Sequence, residues 1–285
     1  MKRILLFLLP ITLLFACHSD HKKENTDTLN KPNAAKTHVL SKETLALIDE
    51  FKPIIQGVWV KSDYLEKIKQ TKSPLAADNL AYGMTALYIR TDSIKIDSLI
   101  VPDIADNHDG SYWTLYFRKG KKKNSVLLGP GELTYNIKHK DTCLFISYYD
   151  KELKKNINTK YIRTYKFTPS NDFGNGIDYY INKILIAGQY NLYDDNGLIS
   201  KVEFKDDGKL SGFFNFKTYK INIDMHSETQ ATLDEIFFQG ENKVHGSFAF
   251  KFNADTLNLY TTKENADSVS SSIDKLKYKL VREKP

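Results

Sequence analysis

The chain has 285 residues, 41% hydrophobic and 27% charged, with 14 Gly, 8 Pro, 2 Cys and a formal net charge of +6. Such a composition is globular and excludes collagen-like, coiled-coil and mostly disordered chains, while two cysteines cannot build a disulfide framework. The length exceeds one average domain and suits two modest ones.

At the start, Met1-Lys2-Arg3 is basic, and residues 4–15 form an apolar run broken only by Pro10 and Thr12. About a dozen apolar residues are too few for a spanning helix and fit the hydrophobic region of a signal peptide. A small residue, Ala16, then precedes Cys17. The segment Leu14-Phe15-Ala16-Cys17 resembles the lipobox of bacterial lipoproteins, although Phe15 is bulkier than the residue usual there. The resemblance implies cleavage before Cys17, attachment of a diacylglycerol to its thiol and acylation of the new amine. The cysteine is needed as the thiol nucleophile, and a small residue before it lets the backbone fit the peptidase. Residues 1–16 are then a signal peptide and Cys17 is the lipidation site. Several acyl chains at ~0.8 kcal/mol per buried CH2 would hold the protein on a membrane. His18 stands where an aspartate retains some lipoproteins in the inner membrane, so the resemblance implies the outer membrane of the cell envelope.

Losing Lys2 and Arg3 lowers the charge to +4, and the whole chain has 36 Lys against 5 Arg. Arginine is the residue favoured for bidentate phosphate and base recognition, so no nucleic-acid partner is expected. Residues 17–40 are polar without apolar periodicity and are expected to form a flexible tether. His18 and His21 share an i, i+3 spacing, but on an expected flexible tether they carry no metal prediction.

A short helix is predicted over 41–53, capped by Ser41, with Leu45, Ile48 and Phe51 at helical spacing and Pro53 ending it. Another is predicted over 64–70. Elsewhere the pattern has period two. Trp113, Leu115 and Phe117 alternate with Tyr112, Thr114 and Tyr116, and Gly246, Phe248, Phe250 and Phe252 with His245, Ser247, Ala249 and Lys251. Leu276, Tyr278 and Leu280 alternate with lysines in the last such stretch. These are half-buried antiparallel strands, and turn signals such as Asp206-Asp207-Gly208 separate them. About eight strands are expected in a first β domain, 54–168, and about eight in a second, 184–285, joined by a linker over 169–183.

The halves share punctuation. The first opens Gly57-Val58-Trp59 and closes with Arg163 on an aromatic strand face; the second opens Gly188-Gln189-Tyr190 and closes with Arg282. A charge on such a face needs a partner, and stacking on an aromatic ring supplies one. In this the chain resembles the lipocalin-like (calycin) barrels, whose first-strand Trp plugs one barrel end beneath an Arg of the last strand. The resemblance implies a mainly β fold of two consecutive antiparallel barrels, with Trp59–Arg163 and Tyr190–Arg282 as structural barrel-end pairs that bind no ligand.

Signals of chemistry are few. Five cations in Arg118-Lys119-Gly120-Lys121-Lys122-Lys123-Asn124 sit on a predicted hairpin tip that would meet an anionic surface or polysaccharide, or simply be solvated. Asp103, Asp106, Asn107, His108, Asp109 and Gly110 are rich in oxygen. An EF-hand register through Gly110 nevertheless puts Ala105 and Tyr116 where carboxylates are required. Cys143 is expected to be a small core residue, and among His108, His139, His226 and His245 none is singled out as its base. No nucleophile-elbow, zincin or P-loop motif occurs. The sequence therefore predicts no catalytic residue, metal or cofactor. It predicts a non-catalytic, lipid-anchored envelope protein that binds a hydrophobic small molecule, lipid or glycan in a barrel lumen. The alternative is a structural or assembly protein contacting another envelope component, and an unrecognised hydrolase stands last.

Overall fold

A computed structural model describes residues 39–139, 141–151, 153–166, 176–194, 197–226, 232–241, 245–266 and 270–284. The predicted signal peptide, Cys17 and the predicted tether as far as His38 lie outside the described residues. Val39–Pro285 is one compact unit. It is mainly β, with two eight-stranded antiparallel barrel-like sheets in succession.

The first helix, α1 (Lys42–Ile55), starts where the Ser41 hydroxyl accepts from the Thr44 N–H at 3.0 Å. Pro53 does not end it. The helix runs on to Ile55, because Phe51 and Ile55 are held in the mouth of the first barrel, and that burial offsets the backbone bond proline cannot make. Then follow β1 (Gly57–Lys61), α2 (Ser62–Thr71), the short α3 (Asp78–Ala81) and β2 (Met84–Ile89). The remaining strands form a meander: β3 (Ser98–Ala105), β4 (Asp109–Lys119), β5 (Ser125–Leu128), β6 (Gly131–Lys138), β7 (Asp141–Asp150) and β8 (Lys155–Tyr165). Pairing of β8 with β1 closes the barrel. Inward side chains fill it: Trp59, Leu87, Ile89, Val101, Leu115, Phe117, Val126, Leu128, Leu133 and Leu144 all have zero accessible area.

The predicted linker 169–183 is corrected in its second half, where Gly176–Leu185 forms helix α4; its first half lies outside the described residues. Ile177, Ile181 and Leu185 line one face of α4 and pack between the outer side of β1–β2 and the interior of the second sheet. The second half is built of β9 (Gly188–Asp194), β10 (Gly197–Phe204), β11 (Leu210–Ser211), β12 (Phe216–Ile221), β13 (Glu235–Gly240), β14 (His245–Asn253), β15 (Thr256–Glu264) and β16 (Ser271–Arg282). The order is β11-β10-β9-β16-β15-β14-β13-β12. The seam between β11 and β12 is crossed by an isolated Lys209–Thr218 bridge and by the Tyr219 N–H bonded to Gly208 O at 2.8 Å.

Polar links also join the halves. His108 Nδ1 lies 2.8 Å from Asp224 Oδ2, His226 Nε2 is 3.6 Å from Asp78 Oδ1, and the Leu75 N–H donates to Asp234 Oδ1 at 2.9 Å. No helix among the described residues is long and apolar enough to cross a membrane.

Candidate functional site

Each barrel has the same end construction. In the first, the Arg163 guanidinium lies 4.6 Å from the centre of the Trp59 ring. Trp59 Nε1–H donates to Ile55 O at 2.6 Å, and Arg163 Nη2–H donates to Ile54 O. In the second, Arg282 lies 4.9 Å from the centre of the Tyr190 ring and donates to Leu185 O (3.1 Å) and Ala187 O (2.7 Å), while the Tyr190 hydroxyl donates to Ile186 O at 2.8 Å. A helix leaves its last carbonyls unpaired, and here the barrel-end pairs satisfy those of α1 and, just past the helix, of α4. Burial lowers the Arg163 pKa and raises that of the Tyr190 hydroxyl. Trp59 and Tyr190 are fully buried, and the two arginines that cover them are half-buried.

Other sequence candidates scatter. Cys143 is corrected: it lies on the outward face of β7, half-buried, because Leu144 and Ile146 take the inward positions. The loop after Asp103 serves the fold: the Asp106 carboxylate accepts from the Gly83 N–H, and the Asn107 amide donates to the Tyr64 hydroxyl at 2.9 Å. Asp103 itself points into the barrel, and burial pushes its carboxyl up to about 6 against a bond from Trp113. His139 and His245 are exposed on the surface. Among the described residues no group of three or more His, Cys, Asp or Glu side chains is placed to hold a metal ion.

Two clefts stand out. The smaller, about 270 Å³, lies between α4 and the β11–β12 seam and is lined by Tyr165, Asp178, Tyr179, Asn182, Asp206, Asp207 and Lys220 among others. Burial raises the Asp178 carboxyl and Lys220 opposes the shift, while Asp207 is held by Lys209 at 2.7 Å.

The larger, about 760 Å³, is an outer-face groove on the first barrel. Its floor follows from strand register. Leu127 pairs with Glu132, Glu132 with Ser147 and Ser147 with Asn158, so four side chains stand in one outward row while Leu128, Leu133 and Ile146 point into the core. Tyr149 pairs with Asn156 in the next outward row. Gly131 lets β6 approach β7: a Cβ there would lie 2.5 Å from Ser147 O.

The wall is the basic tip between β4 and β5. Glu132 pins it by accepting from the Lys121 and Lys122 backbone N–H groups (2.9 Å each) and the Ser125 hydroxyl (2.8 Å). Burial works to raise the Glu132 carboxyl, and these donors outweigh it and hold it below its usual value. On the floor, Lys122 donates to the Ser147 hydroxyl, which donates to Asn158 Oδ1 at 2.7 Å. Among the described residues neither Lys119, Lys121 nor Lys122 forms a salt bridge, although the Lys122 charge acts on Glu132, and the Asn156 amide makes no hydrogen bond. The basic run was legible in the sequence. Ser147, Tyr149, Asn156 and Asn158 carried no signal beyond the alternation that turns them outward.

No protein-family model matches the chain, and no curated protein matches it.

Proposed function

We propose that this is an exported, non-catalytic protein of the cell envelope, held by a lipid on Cys17, with the outer membrane as destination, that works through its outer surface. The N-terminal motif supports the anchor. The packing of the barrels supports the choice of surface over lumen: a side chain lining a void that admits water retains accessible area, and ten inward residues of the first barrel, from Trp59 to Leu144, have none. In the second, Leu192, Ile236, Leu257, Leu259 and Leu280 are likewise at zero. Small-molecule sites are concave spaces of a few hundred Å³, and the two clefts lie on the outer face of the first barrel and at the β11–β12 seam. Of the two sequence-based readings, this favours contact with another envelope component over carriage of a hydrophobic ligand.

Two measurements test it. Radiolabelled palmitate is expected to enter the wild-type protein and not Cys17→Ala; equal labelling removes the anchor. Native mass spectrometry of protein released from membranes is expected to show no stoichiometric apolar ligand, and finding one restores the lumen reading.

A further inference from the structure

We propose that the outer-face groove of the first barrel binds an acidic oligosaccharide, a chain of sugar rings bearing carboxylate or phosphate groups. The inference rests on the outer-surface reading above in taking the groove, and not a lumen, as the working site.

Charge selects the class. Lys119, Lys121 and Lys122 line the wall, and the one carboxylate among the described residues lining the groove, Glu132, accepts from three donors of its own hairpin. Three lysine charges thus face one carboxylate charge, which interacts with Lys122, and the net positive charge left inside a concavity concentrates anions. Hydrogen-bonding capacity selects the sugar. Asn156 offers a planar amide with donors and an acceptor, and Asn158, whose Oδ1 already accepts from Ser147, keeps its amide donors, a set suited to vicinal ring hydroxyls. Tyr149, 55% exposed and on the same outward face as Ser147, gives an aromatic face against which the C–H side of a sugar ring packs.

Shape separates the sugar from a bilayer. Ser147 and Asn158 sit on the floor of the groove behind a loop wall, where a flat surface does not reach and a chain of rings does. The floor is also preorganised, since its strands carry the filled core on their other face.

The test uses the full chain in neutral-detergent micelles, titrated calorimetrically with three probes. These are a hexameric oligogalacturonate, the neutral maltohexaose, and glycerol phosphate as the soluble headgroup of an anionic lipid. Saturable binding of the oligogalacturonate is expected, weakening with added salt and about tenfold tighter than maltohexaose. A Lys119→Glu/Lys121→Glu double variant is expected to lose about tenfold or more, and Tyr149→Ala a similar factor, while Tyr149→Phe retains binding. These side chains are exposed, so the unfolding midpoint should not move; Asn156→Ala, also exposed, is a further arm with the same expectation. The proposal is overturned by no saturable binding of the acidic hexamer, by equal affinity for maltohexaose, or by variants that bind like the wild type. Glycerol phosphate binding as tightly as the hexamer overturns it in favour of a lipid-headgroup site. Palmitate labelling is independent of every arm, so failure of the groove and failure of the anchor are read separately.

Discussion

Replacing Gly57 by alanine tests how the first barrel is closed at its helix-capped end. Gly57 has φ +135°, and a Cβ there would lie 2.6 Å from Tyr165 O, a backbone atom of the strand that closes the barrel. Gly197 supplies the control: its φ is +120°, and nothing lies within 4 Å of the added carbon. An L side chain in this region costs ~1–3 kcal/mol, and alanine returns ~0.4–1 by restricting the unfolded chain. Gly197→Ala should therefore destabilise by about 1 kcal/mol. Gly57→Ala bears the same strain plus the crowding of a fixed backbone oxygen, ~1–3 kcal/mol by analogy with overpacking, for a total of about 3. At roughly 2–4 °C per kcal/mol for a domain of this size, its melting temperature should fall by about 6–12 °C. Urea unfolding monitored by tryptophan fluorescence measures both variants, and an unchanged slope confirms that the midpoint reports stability. If Gly57→Ala loses no more than Gly197→Ala, the strand contact does not limit the site and the argument fails.

Other consequences follow from single groups. Arg163→Met leaves Ile54 O unpaired and uncovers Trp59. A loss of about 2 kcal/mol is expected, since the bond to a charged donor and the ring contact outweigh the relief of burying the guanidinium, and chemical denaturation reads it. Asp103 has a folded-state pKa of about 6, raised from 3.8 by burial, so the folded state binds the extra proton between those values. Its contribution to stability is full below pH 3.8 and is lost as pH rises through 6. Asp103→Asn should therefore be more stable than wild type at pH 7, by about 2 kcal/mol, with the difference vanishing towards pH 4. Asp224, through its hydrogen bond and charge, raises the His108 pKa, so in Asp224→Asn the NMR titration of His108 should move down towards the ordinary imidazole value. The His108 link between the halves is strongest below its folded pKa and weakens as pH rises through it.

Much of the architecture is legible in the residues. Period-two alternation around Leu115 and Phe250 marks strand faces, turn residues divide them, and Gly-x-aromatic openings matched to closing arginines mark two similar halves. Alternation is local, dictated by successive side chains of a strand pointing to opposite faces. Helix α4 was legible too, in Ile177, Ile181 and Leu185 at helical spacing, but the turn-forming stretch 169–176 before it points to a linker over 169–183. Pro53 signalled a helix end that burial of Ile55 overrides.

The groove is different in kind. From sequence alone, the lysines of the β4–β5 tip are a turn that is solvated or meets an anionic surface or polysaccharide, and Ser147, Asn156 and Asn158 are ordinary outward residues of later strands. Cross-strand register brings Asn158 beside Ser147 and Ser147 beside Glu132, and Glu132 then folds the basic tip over that row. Local periodicity, composition and the motif around Cys17 thus determine a mainly β chain in two halves and the expectation of an anchor. Whether the interiors are hollow or filled, and which outer residues share a site, only the tertiary structure decides, because both depend on contacts between residues far apart in the chain.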